Sequence, residues 1–157
     1  MPSSSPKFET SPEHLAVGTR GEEIAAAYLQ QIGYRIVAAN FTVPVGRNRN
    51  EMVVNSEIDL IAYDGPTLCF VEVKTRVSDW FAEPSANVDL RKQRQIVRAA
   101  RAYRRMFGLT DAPYRYDVLS IVLPVETDLN RPEIELRRNF WSERKFRKRH
   151  WQERHWD

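Results

Sequence analysis

The chain has 157 residues, 42% of them hydrophobic and 29% charged, with a formal net charge of +3 at pH 7. That length suits one domain with a real core. The single cysteine, Cys69, excludes an internal disulfide and a cysteine-based zinc cluster and reads as a small buried hydrophobe. No apolar run is long enough to span a bilayer, and no apolar signal region opens the chain, so a reducing cytoplasm is the expected compartment. The charge is unevenly spread. Arg137 to Asp157 holds eight Lys/Arg against three acidic residues, and a second basic cluster covers Arg91–Arg105. Such local basic surface suits a polyanionic partner.

In chain order, residues 1–13 are rich in Ser and Pro and read as a disordered leader. A domain is expected over 14–139 and a basic, aromatic tail over 140–157. The domain opens with a helix from about Leu15 or Thr19 to Ile32, closed by Gly33. Tyr34–Phe41 reads as a strand, and Thr42–Asn50 as a polar, turn-rich excursion. Met52–Asn55 is a short strand or the start of the next one. Glu57–Tyr63 and Thr67–Arg76 are clear strands, joined through Asp64-Gly65-Pro66 as an antiparallel hairpin. After a loop with Trp80 and Phe81, a long helix covers Ala86–Phe107. Strands follow at Tyr116–Leu123 and Glu133–Arg138. This order predicts an α/β sandwich with a mixed sheet.

The hairpin carries the chemistry. Asp59 lies on its first strand and Glu72 and Lys74 on its second, among residues that otherwise read as core. Strand side chains alternate, so Glu72 and Lys74 share a face. Burying such charges without partners is costly. A divalent cation would relieve the repulsion between the two carboxylates, and Mg²⁺ prefers oxygen ligands of this kind. Asp59 and Glu72 are therefore the candidate metal ligands, with the Val73 carbonyl as a possible addition. Lys74 is placed to position a water or stabilise a phosphate's developing charge.

Asp59 followed by Glu72-Val73-Lys74 resembles the D…(D/E)xK core of restriction-endonuclease-like proteins. The chain resembles more closely the YraN family of bacterial endonuclease-like proteins, related to Holliday-junction resolvases. The matching segments are Gly18-x-x-Gly21-Glu22, Ala25, Tyr28-Leu29, Gly33-Tyr34, Glu57 to Ile61, Phe70 to Arg76 and Lys92-Gln93. The resemblance implies a three-layer sandwich, a central mixed sheet flanked by helices, with a Mg²⁺ or Mn²⁺ site at Asp59 and Glu72. It implies Lys74 as the catalytic lysine, Glu22 as an auxiliary acid and Gln93 as a supporter. Spacing agrees that Glu22 shares a helix face with Ala25, Ala26 and Leu29, and Gln93 one with Ile96, Val97, Ala100, Tyr103 and Phe107. Glu22 also reads as a first-turn glutamate favoured by the helix dipole, and Gln93 as a satisfied buried amide. Two features depart from the family pattern. Ile58 stands where the superfamily motif has Pro, and the Thr42–Ser56 stretch is expanded. Glu57 is a rival or additional acidic ligand beside Asp59.

Arg91, Arg94, Arg98, Arg101 and Arg105 form a helix stripe, read either as a solvated face or as a phosphate-tracking surface. In the tail, Arg144, Lys145, Arg147, Lys148 and Arg149 alternate with aromatics and, like Arg76, are candidate nucleic-acid contacts; a solubilising end is the other reading. Trp80 and Phe81 either cover the sheet edge or wedge against a junction. The expected function is metal-dependent hydrolysis of DNA, branched or damaged, by a protein that does not enter membranes and is a candidate homodimer. The competing reading is a nucleic-acid-binding module with the nuclease fold and little catalysis.

Overall fold

The computed structural model describes residues 12–77, 88–125, 131–144 and 146. The leader up to residue 11, the loop with Trp80 and Phe81, and Lys145, Arg147, Lys148, Arg149 and the rest of the tail lie outside the described residues. The elements are α1 (Pro12–Gln31), β1 (Arg35–Arg47), β2 (Val53–Asp64), β3 (Thr67–Val77), α2 (Leu90–Met106), β4 (Tyr114–Leu123) and β5 (Glu133–Trp141).

The strands form one sheet in the order β1-β2-β3-β4-β5. Strands β1, β2 and β3 are successive antiparallel neighbours, β3 and β4 are parallel, and β5 returns antiparallel to β4. A parallel pair needs a crossover, and α2 supplies it. Ile58, Ile61, Leu68, Phe70, Tyr116 and Val118 pack with Ile96, Val97 and Ala100 of α2 on one face. Leu60, Ala62, Cys69, Val71, Leu119 and Ile121 pack with Ala25 and Leu29 of α1 on the other. The expected three-layer α/β sandwich with a mixed sheet is the observed architecture. Cys69 is fully buried, and burial pushes its thiol up to about 12.

The largest difference from expectation is at Thr42–Asn50. Residues 42–47 are strand rather than excursion, and only 48–50 turn: β1 continues to Arg47 and pairs with β2 from Thr42↔Glu57 to Arg47↔Val53. Pro44 and Gly46 read as breakers, but β1 is an edge strand, where a missing N–H is tolerated. The register shifts between Pro44 and Gly46, and Gly46 takes a positive φ of 148° there. Residues 88 and 89 are not helical, so α2 starts at Leu90 with the Asp89 side chain accepting from Lys92 N (2.8 Å). Phe107 does not join the buried stripe that its spacing predicts: it caps the helix and is 58% exposed, while Arg104 is buried. Strand β5 runs on to Trp141, and Trp141 and Glu143 are buried.

Candidate functional site

The site forms where two strands part. β2 and β3 pair from Asp64↔Thr67 to Leu60↔Val71. Beyond Val71, β3 keeps only its β4 partner, from Glu72↔Val118 to Val77↔Leu123. Before Leu60, β2 keeps only β1. A fork opens between them, and Asp59 and Glu72 are the first residues inside it. Backbone donors left in such a gap need other partners. Asp59 serves that role: its Oδ2 accepts from Val73 N at 2.8 Å. The Val73 amide, rather than its carbonyl, is thus the group seen to face Asp59.

Alternation also breaks at Asp59. Ile58 belongs to the α2 layer, whereas Leu60, two residues on, belongs to the α1 layer. The register on either side, Ala39↔Leu60 and Phe41↔Ile58, sets Asn40 opposite, with a positive φ of 52°. This local distortion lets Asp59 meet carboxylates from both layers. On the α1 side, ligand oxygens of Glu22, Glu57 and Asp59 lie within 4.8 Å of one another. Asn40, with its amide nitrogen toward them, donates to Glu57 Oε1 (2.9 Å) and to Glu22 Oε1 and Oε2 (3.2 and 3.1 Å). On the α2 side stands Glu72, whose Oε1 is 3.9 Å from both Lys74 Nζ and Lys92 Nζ.

Glu72 is only 5% exposed, and its Oε2 is buried with no hydrogen-bond partner. Burial, then repulsion from Asp59, pushes its carboxyl up to about 8, with Lys92 and Lys74 opposing. Glu22 is also raised, by burial and then by the Asp59 charge. Carboxylates are thus gathered in excess of the cations that would balance them.

The packing that brings Glu22 here depends on Gly21. A Cβ at Gly21 would overlap the Thr75 side chain, so only glycine lets α1 approach β3 this closely. Gln93 is buried, and its Nε2 donates to Val88 O at 2.7 Å, fixing the backbone that leads into α2. Arg76 is exposed near the open end of β3. Arg144 is exposed, with its N–H donating to Ser142 Oγ (3.1 Å), on a turn that starts at the opposite end of β4.

Sequence reasoning missed several neighbours. Lys92 stood in the matching segment without a role; only the placement of α2 shows it facing Glu72. Ser120 pairs with Lys74 in the β3–β4 register and has a buried Oγ without a partner. Ser56 Oγ donates to Gln95 O (2.7 Å), pinning β2 to α2 just before Glu57. Arg94 and Arg101 of the stripe hold the chain after β5: Arg94 lies over the Phe146 ring (5.9 Å) and Arg101 Nη2 pairs with Glu143 Oε2 (3.4 Å).

The fold and site define an α/β sandwich with an acid-lined fork in its sheet. The model of uncharacterised protein family UPF0102 matches residues 21–121, and the chain belongs to this family, the YraN family expected from its motifs. A UPF0102 protein of Koribacter versatilis is 41% identical over 123 residues, covering 78% of this chain and 77% of its own. One from Geobacter sulfurreducens is 41% identical over 118 residues (75% and 84%), and one from Chlorobium chlorochromatii is 44% identical over 105 (67% and 73%). The matched span contains Glu22, Asp59, Glu72, Lys74 and Gln93. Among the described residues no helix is long and apolar enough to cross a membrane.

Proposed function

We propose that the protein is a Mg²⁺- or Mn²⁺-dependent nuclease that hydrolyses phosphodiester bonds in DNA, with branched or damaged DNA as the substrate class. The observation that carries this reading is the buried, unpartnered Oε2 of Glu72 next to Asp59. A buried carboxylate oxygen without a partner costs stability, and a hard cation relieves that cost for both residues. The donor set is all oxygen, which fits such an ion. Asp59 and Glu72 would hold it, with Glu22 and Glu57 within reach of Asp59. The bound ion would acidify a water and screen the phosphate.

The rest is done by the chain's own groups. Lys74 is about one-third exposed beside Glu72. Its ammonium can hold the attacking water or the scissile phosphate's oxygen. Lys92 adds a second positive charge on the same side. Asn40 orients Glu22 and Glu57, and Gln93 fixes the approach to α2. On this reading the partner is DNA in the cytoplasm, and a homodimer would present two forks to a branched substrate.

The two lysines at 3.9 Å from Glu72 Oε1 favour a second reading, a structural ion cluster in a DNA-binding module with little catalysis. Cleavage of flap, junction and single-stranded DNAs with Mg²⁺ and Mn²⁺ decides between them. The nuclease reading expects Asp59→Ala and Lys74→Ala to lose roughly 100-fold or more of the activity. Wild-type DNA binding without cation-dependent cutting would support the module instead.

A further inference from the structure

The β1–β2 ribbon has no assigned role, and it projects from the site itself. Its base is fixed, because Ser56 bonds to Gln95 O and Val43 packs on the α2 layer. Beyond that point, residues 44–55 include none that is buried. At about 3.3 Å per residue, the five residues from Glu57 to Met52 carry the tip roughly 17 Å from the carboxylates.

The tip is built rather than loose. Asn48 N donates to Met52 O (2.9 Å), and Asn48 Oδ1 accepts from Asn50 N (2.9 Å) and Met52 N (3.1 Å). Arg47 Nη1 donates to Glu51 O at 2.8 Å. This order presents Arg47 and Arg49 with Met52, which is 63% exposed, and Val53, which is 53% exposed. The turn itself is Asn48-Arg49-Asn50-Glu51, with Met52 and Val53 beside it; apart from the Glu51 carboxylate, its arginines and asparagines are chemistry for phosphates and base edges.

We infer that residues 44–55 form an arm that enters the major groove of duplex DNA beside the bond placed in the fork. A two-stranded β-ribbon fits that groove, which is ~12 Å wide. Duplex is favoured over single strand because the arm and the fork are a fixed distance apart on one stiff ribbon. The register shifts between Pro44 and Gly46, an irregularity of the kind that bends and twists an edge strand. This inference rests on the proposed DNA substrate and adds its form: duplex extending from the scissile position.

The test compares wild type with Arg47→Ala/Arg49→Ala and, separately, Met52→Ser. Fluorescence anisotropy in EDTA would measure binding to a duplex of several turns, a duplex of under one turn and a single strand. For the long duplex, the arginine variant should bind about tenfold more weakly, with a salt slope smaller by ~2, near 0.9 per phosphate. Binding to the single strand should not change, nor should Mn²⁺ binding or the melting temperature. Equal losses on duplex and single strand, or no loss on the long duplex, would overturn the arm. A wild-type monomer–dimer equilibrium abolished by Met52→Ser, with duplex binding intact, would overturn it in favour of a protein contact. Wild type without affinity for any duplex would sink the DNA reading as well, so the two failures are distinguishable.

Discussion

Two groups of acidic side chains share this sheet and are treated in opposite ways. At the hairpin end, Asp117 is fully buried and fully matched. Its Oδ1 accepts from Arg115 Nε (2.9 Å) and Asn139 N (2.9 Å), and its Oδ2 from Tyr34 OH (3.3 Å). Arg115 Nη2 reaches Asp64 Oδ2 at 2.7 Å and Tyr34 OH at 2.5 Å. At the fork end, Glu22, Glu57, Asp59 and Glu72 converge with two lysines no nearer than 3.9 Å to Glu72 and one oxygen unmatched. The fold can satisfy buried carboxylates when they serve structure. The shortage at the fork is therefore a property of that place, and the proposed divalent cation would relieve it.

The contrast is broken most strongly at the matched end. Asp117→Ala should destabilise the fold by about 3–5 kcal/mol, because it leaves the Arg115 charge without its buried partner. Denaturant unfolding measures it. Above pH 8 in chelator Glu72→Gln should do the reverse, leaving stability unchanged or higher, since there it removes a repelled buried charge. A loss as large as that of Asp117→Ala would erase the distinction between the two ends.

Gly21→Ala comes next. The added Cβ overlaps Thr75, and overpacking of this kind costs about 1–3 kcal/mol. The expected signature is a lower unfolding midpoint together with weaker cation binding, because α1 carries Glu22 away with it.

A pH dependence follows from Glu72 itself. Its carboxyl is pushed up to about 8 from an ordinary 4.5, so the folded state holds a proton that the unfolded state has released. Stability of the cation-free protein should fall as pH rises from about 4.5 to 8 and level off above that. Unfolding in chelator across this range checks the slope, and Glu72→Gln should flatten it. The smallest effect expected is at Ser120→Ala. Removing a buried hydroxyl that has no partner should be neutral or mildly stabilising, within ~1 kcal/mol.

Much of the fork was legible because its logic is local. Alternation alone put Glu72 and Lys74 on one face, and helix spacing turned Glu22 and Gln93 inward. Lys92, Ser120 and Asn40 were not legible in the same way. They meet the site only through α2 docking, the parallel β3–β4 register and a positive φ, none of which leaves a periodic trace. The Asp117 network escaped for the same reason, since Tyr34, Asp64, Arg115 and Arg138 come from separate elements. The arm was hidden by Pro44 and Gly46, which break a central strand but are tolerated on an edge with a bulge.

The most direct test of the central claim is a calorimetric titration of Mn²⁺ into the chain at pH 8, with Asp59→Asn beside it. Saturable binding of at least one ion per chain, abolished in the variant while its fold persists, is the predicted result. No saturable binding to wild type, or equal binding to both, would contradict it.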